Sequence, residues 1–411
     1  MYKLGRPGPP AFAKQSVASR RVSFHIEIPI QRAIVDEPVK AYISRSALRH
    51  NVRLIQKTAA NTPLCAMVKA AAYGHNTTLV VKALEGMNVA FWGVATLNEA
   101  VELRDLNVRE PVIVMRPLTP YESEKAIREQ IRLMYELEIR PTLSSDCILG
   151  LLAKSLAGLT KPLKAHIKVD TGMGRNGIPA GDTIALLRQA NAVRGLRIEG
   201  IYSHFAETSS DNLDFAREQI AVFNSILKEI KTLNINFPLR HISNSGAVFN
   251  LPEARFDMVR PGKALYGYSS QNSKESLSLI PVMRVEAPVV CTKRLKKGTT
   301  CGYERTFLAK RATRIGLLPF GYADGYSRKL SNSGRVDFRG RLAPVIGQVS
   351  MDLTVVDLTD IPEATTGSLL CVISNRRADP HSIESTAGRL GTIPHEIGCN
   401  LGSRIQRILT E

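Results

Sequence analysis

PLCAMVKAAAYGHN, residues 63–76, is a short apolar run closed by one lysine, three alanines and Tyr-Gly-His. Leu64 to Val68 has the length and continuity of a strand buried on both faces. The lysine that ends it, Lys69, has two readings. It snorkels its ammonium to solvent. Otherwise it stays partly desolvated, its amine pKa falls, and it can condense with a carbonyl. This stretch alone leaves both open.

The same texture recurs along the chain. After LCAMV come VAFWGVAT ending at Thr96, PVIVM before Arg116, IRPTLSS, AHIKV before Asp170, IEGIYS before His204, LRHIS before Asn244 and FDMV before Arg260. Helical patterns lie between them. SRSALRHNVRLIQKTA places Leu48, Val52 and Ile55 on one face, and FAREQIAVFNSILKEI does the same for Ile220, Phe223, Leu227 and Ile230. Eight strands alternating with helices predict an α/β fold, a closed (β/α)8 barrel of TIM type. An open doubly wound sheet is the other arrangement, but no G-x-G-x-x-G opens a helix.

In such barrels chemistry collects at the C-terminal ends of the strands. Lys69, Asp170, His204, Asn244 and Arg260 all fall there. SNSGA (243–247) and RPGKALYGY (260–268) add small residues and backbone N–H groups at two adjacent strand ends. Such a nest suits a phosphate dianion, although Ser245 serves equally well as a helix N-cap. A strand-end lysine beside a phosphate nest points to pyridoxal phosphate held as a Schiff base.

Past about residue 272 the pattern changes. VMRVEAPVV alternates, KKGT is a turn, and RVDFRGRLAPVIGQVSMDLTVVDL reads as successive strands around Gly340 and Gly347. HSIESTAGRLG is helical and RIQRILTE closes the chain. The expected organisation is therefore an extension over 1–38, a barrel over 39–275 and a mostly β domain over 276–411. The extension has no acidic residue before Glu27 and lacks the apolar core of a secretory signal. A transit-peptide-like segment and a disordered or strand-forming extension both remain open.

The 411 residues carry a net charge of +18, but the basic residues are spread along the chain. There is no long Lys/Arg block and no aromatic-basic interleaving, so the expectation is a basic surface suited to anionic ligands rather than nucleic acid. No apolar run approaches the roughly 18 residues of a membrane span. The six cysteines are scattered without metal-ligand spacing, which predicts no metal and a reducing, cytoplasmic setting.

MVKAAAYGH closely resembles the pyridoxal phosphate motif of alanine racemases. The resemblance continues in order through AFWGVATLNEA, IKVDTGMGRNGI, YSHFA, ISNSGAV, FDMVRPGKALYG, GTTCGYERTF, LPFGYADGYSR and IGQVSMD. It implies a pyridoxal phosphate-dependent enzyme that interconverts L- and D-alanine, supplying D-alanine for peptidoglycan, and a homodimer whose active sites are shared between subunits. Lys69 would hold the cofactor and act as one of two opposed bases. Tyr303 of the other subunit would be the second. A tyrosine near pKa 10 needs nearby positive charge to serve as a base, and His204, bonded to Arg260, fits that need.

The resemblance also sets Arg260 against the pyridine nitrogen and Arg175 against the phenolic oxygen and the substrate carboxylate. Met351 would help bind that carboxylate, and Tyr322 would line the entrance. Tyr73, Ser245 and the backbone of Gly262 and Lys263 would hold the phosphate. Lys168 matches a lysine that is carbamylated in some members; the other reading is a barrel-interior lysine paired with Asp170. The chain departs from the family pattern at several places. Ala71 replaces Asn or Asp, and Asn76 replaces Gly. His395 stands where a tyrosine usually touches the phosphate. Ser209 and Gln348 replace an opposed Asp and Arg at the entrance. Those departures, and weakly Asn176, leave a broad-spectrum amino-acid racemase as the alternative.

Overall fold

The computed structural model describes residues 38–209, 211–233, 239–268 and 277–411. Apart from Pro38, the extension read over 1–38 lies outside them. The strands are β1 (Lys40–Ser44), β2 (Cys65–Met67), β3 (Phe91–Val94), β4 (Val112–Pro117), β5 (Ile139–Leu143), β6 (Leu163–Asp170), β7 (Ile178–Pro179), β8 (Leu196–Tyr202) and β9 (Leu239–His241). All except β1 form one parallel sheet in the order β2-β3-β4-β5-β6-β8-β9, with the short β7 pairing β6 alone. Burial on both faces explains their unbroken apolar texture.

The ring is closed by the eighth run, FDMVR, through a single bridge from Val259 to Leu64. Asp257 N–H and Arg260 N–H donate to the carbonyls of Arg240 and Ser243 beside β9. On the other side Cys65 N–H donates to Val259 O at 2.8 Å, Val259 N–H to Pro63 O at 2.9 Å, and Met67 N–H to Pro261 O at 3.2 Å. The expected barrel is thus present, its last member too short to register as a strand.

Helices pack their apolar faces on this ring. In Arg45–Thr58 the fully buried residues include Leu48, Val52 and Ile55, as the periodicity predicts. In Asp214–Thr232 the buried face holds Ile220, Phe223 and Ile230, but Ile226 rather than Leu227 is the residue fully covered between them. With 3.6 residues per turn, either position is close to the core-facing stripe.

The second region adds β10 (Met283–Pro288), β11 (Cys291–Leu295), β12 (Thr300–Cys301), β13 (Phe307–Leu308), β14 (Thr313–Leu318), β15 (Arg335–Phe338), β16 (Arg341–Pro344), β17 (Thr354–Asp357), β18 (Leu369–Ile373) and β19 (Gln406–Thr410). One sheet runs β16-β15-β18-β10-β1-β19, another β11-β14-β17. Strand β1, which precedes the barrel in sequence, lies between β10 (antiparallel) and β19 (parallel). No helix among the described residues is long and apolar enough to cross a membrane.

Candidate active site

Lys69 opens a turn whose backbone is left-handed. Ala70, Ala71, Ala72 and Tyr73 have φ of 53°, 50°, 55° and 56°. L-residues in this conformation cost roughly 1–2 kcal/mol each, so it persists only because its surroundings hold it. Ala72 N–H donates to Val68 O, Gly74 N–H to Ala70 O and Asn76 N–H to Ala71 O. Gly74 is required twice over. Its φ is +81°, and a Cβ there would lie 1.9 Å from the carbonyl oxygen of Gly398 in the helix Pro394–Asn400. Arg407 of β19 donates to Gly74 O at 3.2 Å. The lysine is therefore seated by elements from both regions.

Burial and then the charge of Arg175 lower the amine pKa of Lys69, while the Glu99 carboxylate opposes them. Lys69 is exposed at the strand end, as the snorkelling reading expects, yet its amine is crowded enough for its proton affinity to fall, as the second reading expects. Arg175 sits on the loop after β6, which Asp170 orders by accepting from the N–H groups of Gly172, Met173 and Gly174 at 2.9, 2.8 and 3.2 Å. Asp170 does not pair with Lys168, whose ammonium instead donates to Asn176 Oδ1. Burial, Arg175 and Arg260 together bring Lys168 down to about 8.

Arg260 is 3% exposed and surrounded by neutral acceptors: His241 Nδ1 at 2.7 Å, Ser203 O at 2.7 Å, Ile242 O at 3.3 Å and His204 Nδ1 at 3.3 Å. Its guanidinium lies 5.2 Å from the Tyr202 ring centroid. Burial lowers its pKa to about 10, so it remains a cation at neutral pH. Its five donors exceed these four acceptors.

Behind it runs a line of hydrogen bonds the sequence did not disclose. His241 Nε2 meets His166 Nδ1 at 2.9 Å, and His166 Nε2 meets Glu199 Oε2 at 3.4 Å. Glu199 is held by Arg140 at 3.1 Å and Lys164 at 3.3 Å. Burial, the largest influence, pushes Glu199 upward, but the hydrogen bond from His166 and the charge of Arg140 win and hold it at about 2. Burial depresses both histidines, so both are neutral. One proton arrangement satisfies the whole line, with each imidazole protonated at Nε2 and accepting at Nδ1. His204 follows the same logic: burial and the charge of Arg260 keep it neutral, and by accepting at Nδ1 it carries its proton on Nε2. Gln219 fixes its loop through bonds to His204 O at 3.1 Å and Ala206 N–H at 3.0 Å.

At the other end of Lys69 is a cradle. Ser245 Oγ accepts from Gly262 N–H at 2.9 Å and Ala264 N–H at 3.2 Å. A Cβ on Gly262 would come within 2.2 Å of the Tyr73 hydroxyl, so only glycine lets these groups converge. His395 lies with its ring centroid 6.1 Å from that of Tyr73, and its buried Nδ1 has no hydrogen-bond partner. The Lys263 ammonium, lowered by burial, donates to Ser209 Oγ at 3.3 Å, and its charge reaches His395. No carboxylate among the described residues forms an ion pair with Lys263. A small polar space with uncompensated positive charge and an orphaned imidazole nitrogen fits a phosphate dianion.

Three further expected residues are exposed. Tyr303, Tyr322 and Met351 are 68%, 43% and 54% exposed. They belong to the second region. Tyr303 sits on a turn with left-handed Glu304 and Arg305. Gln348 on the neighbouring loop donates to Glu304 at 3.2 Å, which also pairs with Arg328 at 3.1 Å. Backbone bonds from Tyr322 N–H to Ser350 O and from Ala323 N–H to Met351 O, both 3.0 Å, bind the other two together. No group of three His, Cys, Asp or Glu among the described residues forms a metal cluster.

A barrel whose strand ends gather a lysine of lowered amine pKa, a polar space that fits a phosphate and a buried arginine cation has the features of a pyridoxal phosphate enzyme of the barrel type. The family profiles described as alanine racemase N-terminal domain and alanine racemase C-terminal domain match residues 43–270 and 282–409. The chain is 35% identical to alanine racemase 2 of Caldanaerobacter subterraneus over 80% of its length and 83% of that protein. It is 34% identical to the alanine racemase of Methanococcus maripaludis over 91% and 99%. Among solved structures, the alanine racemase of Streptomyces lavendulae superposes with a TM-score of 0.83 at 30% identity, covering 91% and 97% of the two chains. That of Bartonella henselae, with covalently bound pyridoxal phosphate, gives 0.79 at 29%, covering 91% and 99%. The chain belongs to the alanine racemase family.

Proposed function

We propose that this chain interconverts L- and D-alanine with pyridoxal phosphate, using Lys69 and Tyr303 as proton-transfer groups on opposite faces of the substrate Cα. The observation that carries this reading is the buried Arg260 cation ringed only by neutral acceptors. The cofactor, when bound, supplies the electron-withdrawing system that lets a Cα proton leave. Arg260 would hold its ring nitrogen as a donor that stays charged, which would keep that nitrogen unprotonated and the withdrawal modest. This favours returning the proton to Cα over competing reactions. Tyr73, Ser245, Gly262, Lys263 and His395 hold the phosphate, and Arg175 and Met351 orient the substrate carboxylate. Lys69, its amine pKa lowered, gives up its proton more readily than an ordinary lysine and serves as one of the two proton-transfer groups. His204, held by Arg260 at Nδ1, offers Nε2–H to the Tyr303 oxygen and orients it.

Because Tyr303, Tyr322 and Met351 are exposed on the second region, this reading makes the enzyme a homodimer in which they complete the partner's barrel mouth. It takes the barrel as 39–275 and the β domain as 276–411, with β1 serving the latter's sheet. It places the enzyme in the cytoplasm, where its six unpaired cysteines are stable, making D-alanine for peptidoglycan.

Borohydride should fix the cofactor on Lys69, and peptide mapping to a different lysine would sink the assignment. In Tyr303→Phe, exchange of the Cα proton should be impaired far more for one enantiomer than for the other. Mixed dimers of Tyr303→Phe and Lys69→Ala should regain activity; well-folded hybrids that regain none would place Tyr303 in its own subunit's site.

A further inference from the structure

We propose that Glu99 is a positioning residue for Lys69, its carboxylate pinning the left-handed turn on which the cofactor lysine sits. This rests on the function proposed above. Glu99 lies at the third position of the helix Leu97–Asp105, and with Thr96 it forms a reciprocal capping box. A capping-box glutamate has one duty, to accept from the N–H of the cap residue. This one accepts three N–H groups: Thr96 at 3.0 Å and Ala95 at 2.7 Å through Oε2, and Ala70 at 2.7 Å through Oε1. The last belongs to the residue immediately after Lys69, 29 positions upstream.

That contact answers a need of the turn. Ala72, Gly74 and Asn76 return their N–H groups to carbonyls of the segment 68–71. Ala70 has no acceptor inside the turn and finds one only in Glu99. A carboxylate acceptor makes about twice as strong a bond as a neutral one, and it ties the end of β2 to the end of β3. The Lys69 Cα is thus fixed between two strand ends, with the direction of its side chain set by a backbone that would otherwise relax toward right-handed geometry. The same carboxylate is the acid whose charge raises the Lys69 amine against burial and Arg175. It therefore acts on both the place and the proton affinity of that amine without touching substrate.

The experiment is covalent capture of pyridoxal phosphate by the cofactor-free full-length protein, followed by absorbance across pH and confirmed by borohydride reduction and mapping. Glu99→Gln keeps the size but has one acceptor oxygen for three donors and no charge. It should slow capture by about tenfold or more, the scale of losing one charge-assisted hydrogen bond. It should also lower the pH midpoint at which the lysine reacts. Glu99→Asp, which keeps the charge at shorter reach, should restore the midpoint more fully than the rate. Thr96→Ala breaks the other half of the capping box and leaves the Ala70 bond alone, so it should change neither. If Glu99→Gln captures cofactor at wild-type rate and midpoint, or Thr96→Ala reproduces its defect, Glu99 is only a helix cap and the inference is overturned alone. Wild-type protein that never links the cofactor to Lys69 would overturn the proposed function and this inference together.

Discussion

Ala71 is the place to test whether the left-handed turn costs what its backbone implies. It has φ 50° and ψ 48°, is exposed, and stands where the family usually has Asn or Asp. An alanine in this conformation costs roughly 1–2 kcal/mol relative to right-handed backbone, and Asn adopts it with a local hydrogen bond as compensation. Ala71→Asn should recover about 0.5–1 kcal/mol of that. Ala71→Gly removes the steric cost but adds freedom to the unfolded chain worth about 0.5–1 kcal/mol, so it should keep a net gain of about 0.5–1 kcal/mol, similar to Asn. Ala71→Val, β-branched, should lose more than about 1 kcal/mol. For a chain of this size the gain from Asn corresponds to about 0.5–1 °C in Tm. Thermal unfolding followed by circular dichroism, at fixed protein and saturating cofactor, should rank Asn and Gly above Ala, and Ala above Val. An unchanged midpoint for Asn, or Val equal to Ala, refutes the view that backbone hand sets the cost here.

Three further outcomes follow from the site. Lys263→Met should weaken binding of pyridoxal phosphate about tenfold by equilibrium titration while leaving binding of pyridoxal, which lacks the phosphate, unchanged; equal effects on both would remove Lys263 from the phosphate site. Lys168 has a folded pKa of about 8, below that of a free lysine near 10.4. The unfolded chain therefore binds more protons between these values, and resistance to urea should rise with pH from about 8 to 10; in Lys168→Met that rise should shrink, and an identical pH profile would show that Lys168 is not depressed. Restoring Ser209→Asp with Gln348→Arg should narrow substrate preference toward alanine across a panel of L-amino acids. Wild-type enzyme that already rejects serine, methionine and lysine would show that these two departures do not widen the entrance.

The barrel was legible because its strands are buried on both faces and announce themselves as apolar runs. The eighth, FDMVR, was readable from sequence even though only Val259 forms a bridge in the structure. The polar residues at strand ends marked the mouth for the same reason. The line from Arg260 through His241 and His166 to Glu199 was not legible. Its members sit inside strand patterns, where a lone histidine reads as core, and only barrel closure brings β6, β8 and β9 side by side. Glu99 was hidden by an ordinary explanation, since TLNEA is a complete capping box without any reference to Lys69. The left-handed turn was masked by three alanines, residues that elsewhere favour the opposite hand. Tyr303 carried no local signal at all, and only resemblance to the family singled it out.

The placing of β1 has a consequence for how the molecule is made. Its partner β19 is so distant in the chain that the Thr410 hydroxyl reaches the Ile43 carbonyl across 367 positions. The wall against which Gly74 rests, and the arginine that grips its carbonyl, also come from residues 394–407. During synthesis the barrel strands emerge first and begin to fold, but the turn bearing Lys69 waits for residues 394–407. The cofactor lysine is therefore set in place late, after long-range pairing that is slow to form. A nascent chain interrupted before residue 394 should keep most of the barrel without the contacts that seat the lysine, and should capture the cofactor poorly by borohydride trapping; capture at the full-length rate would refute this.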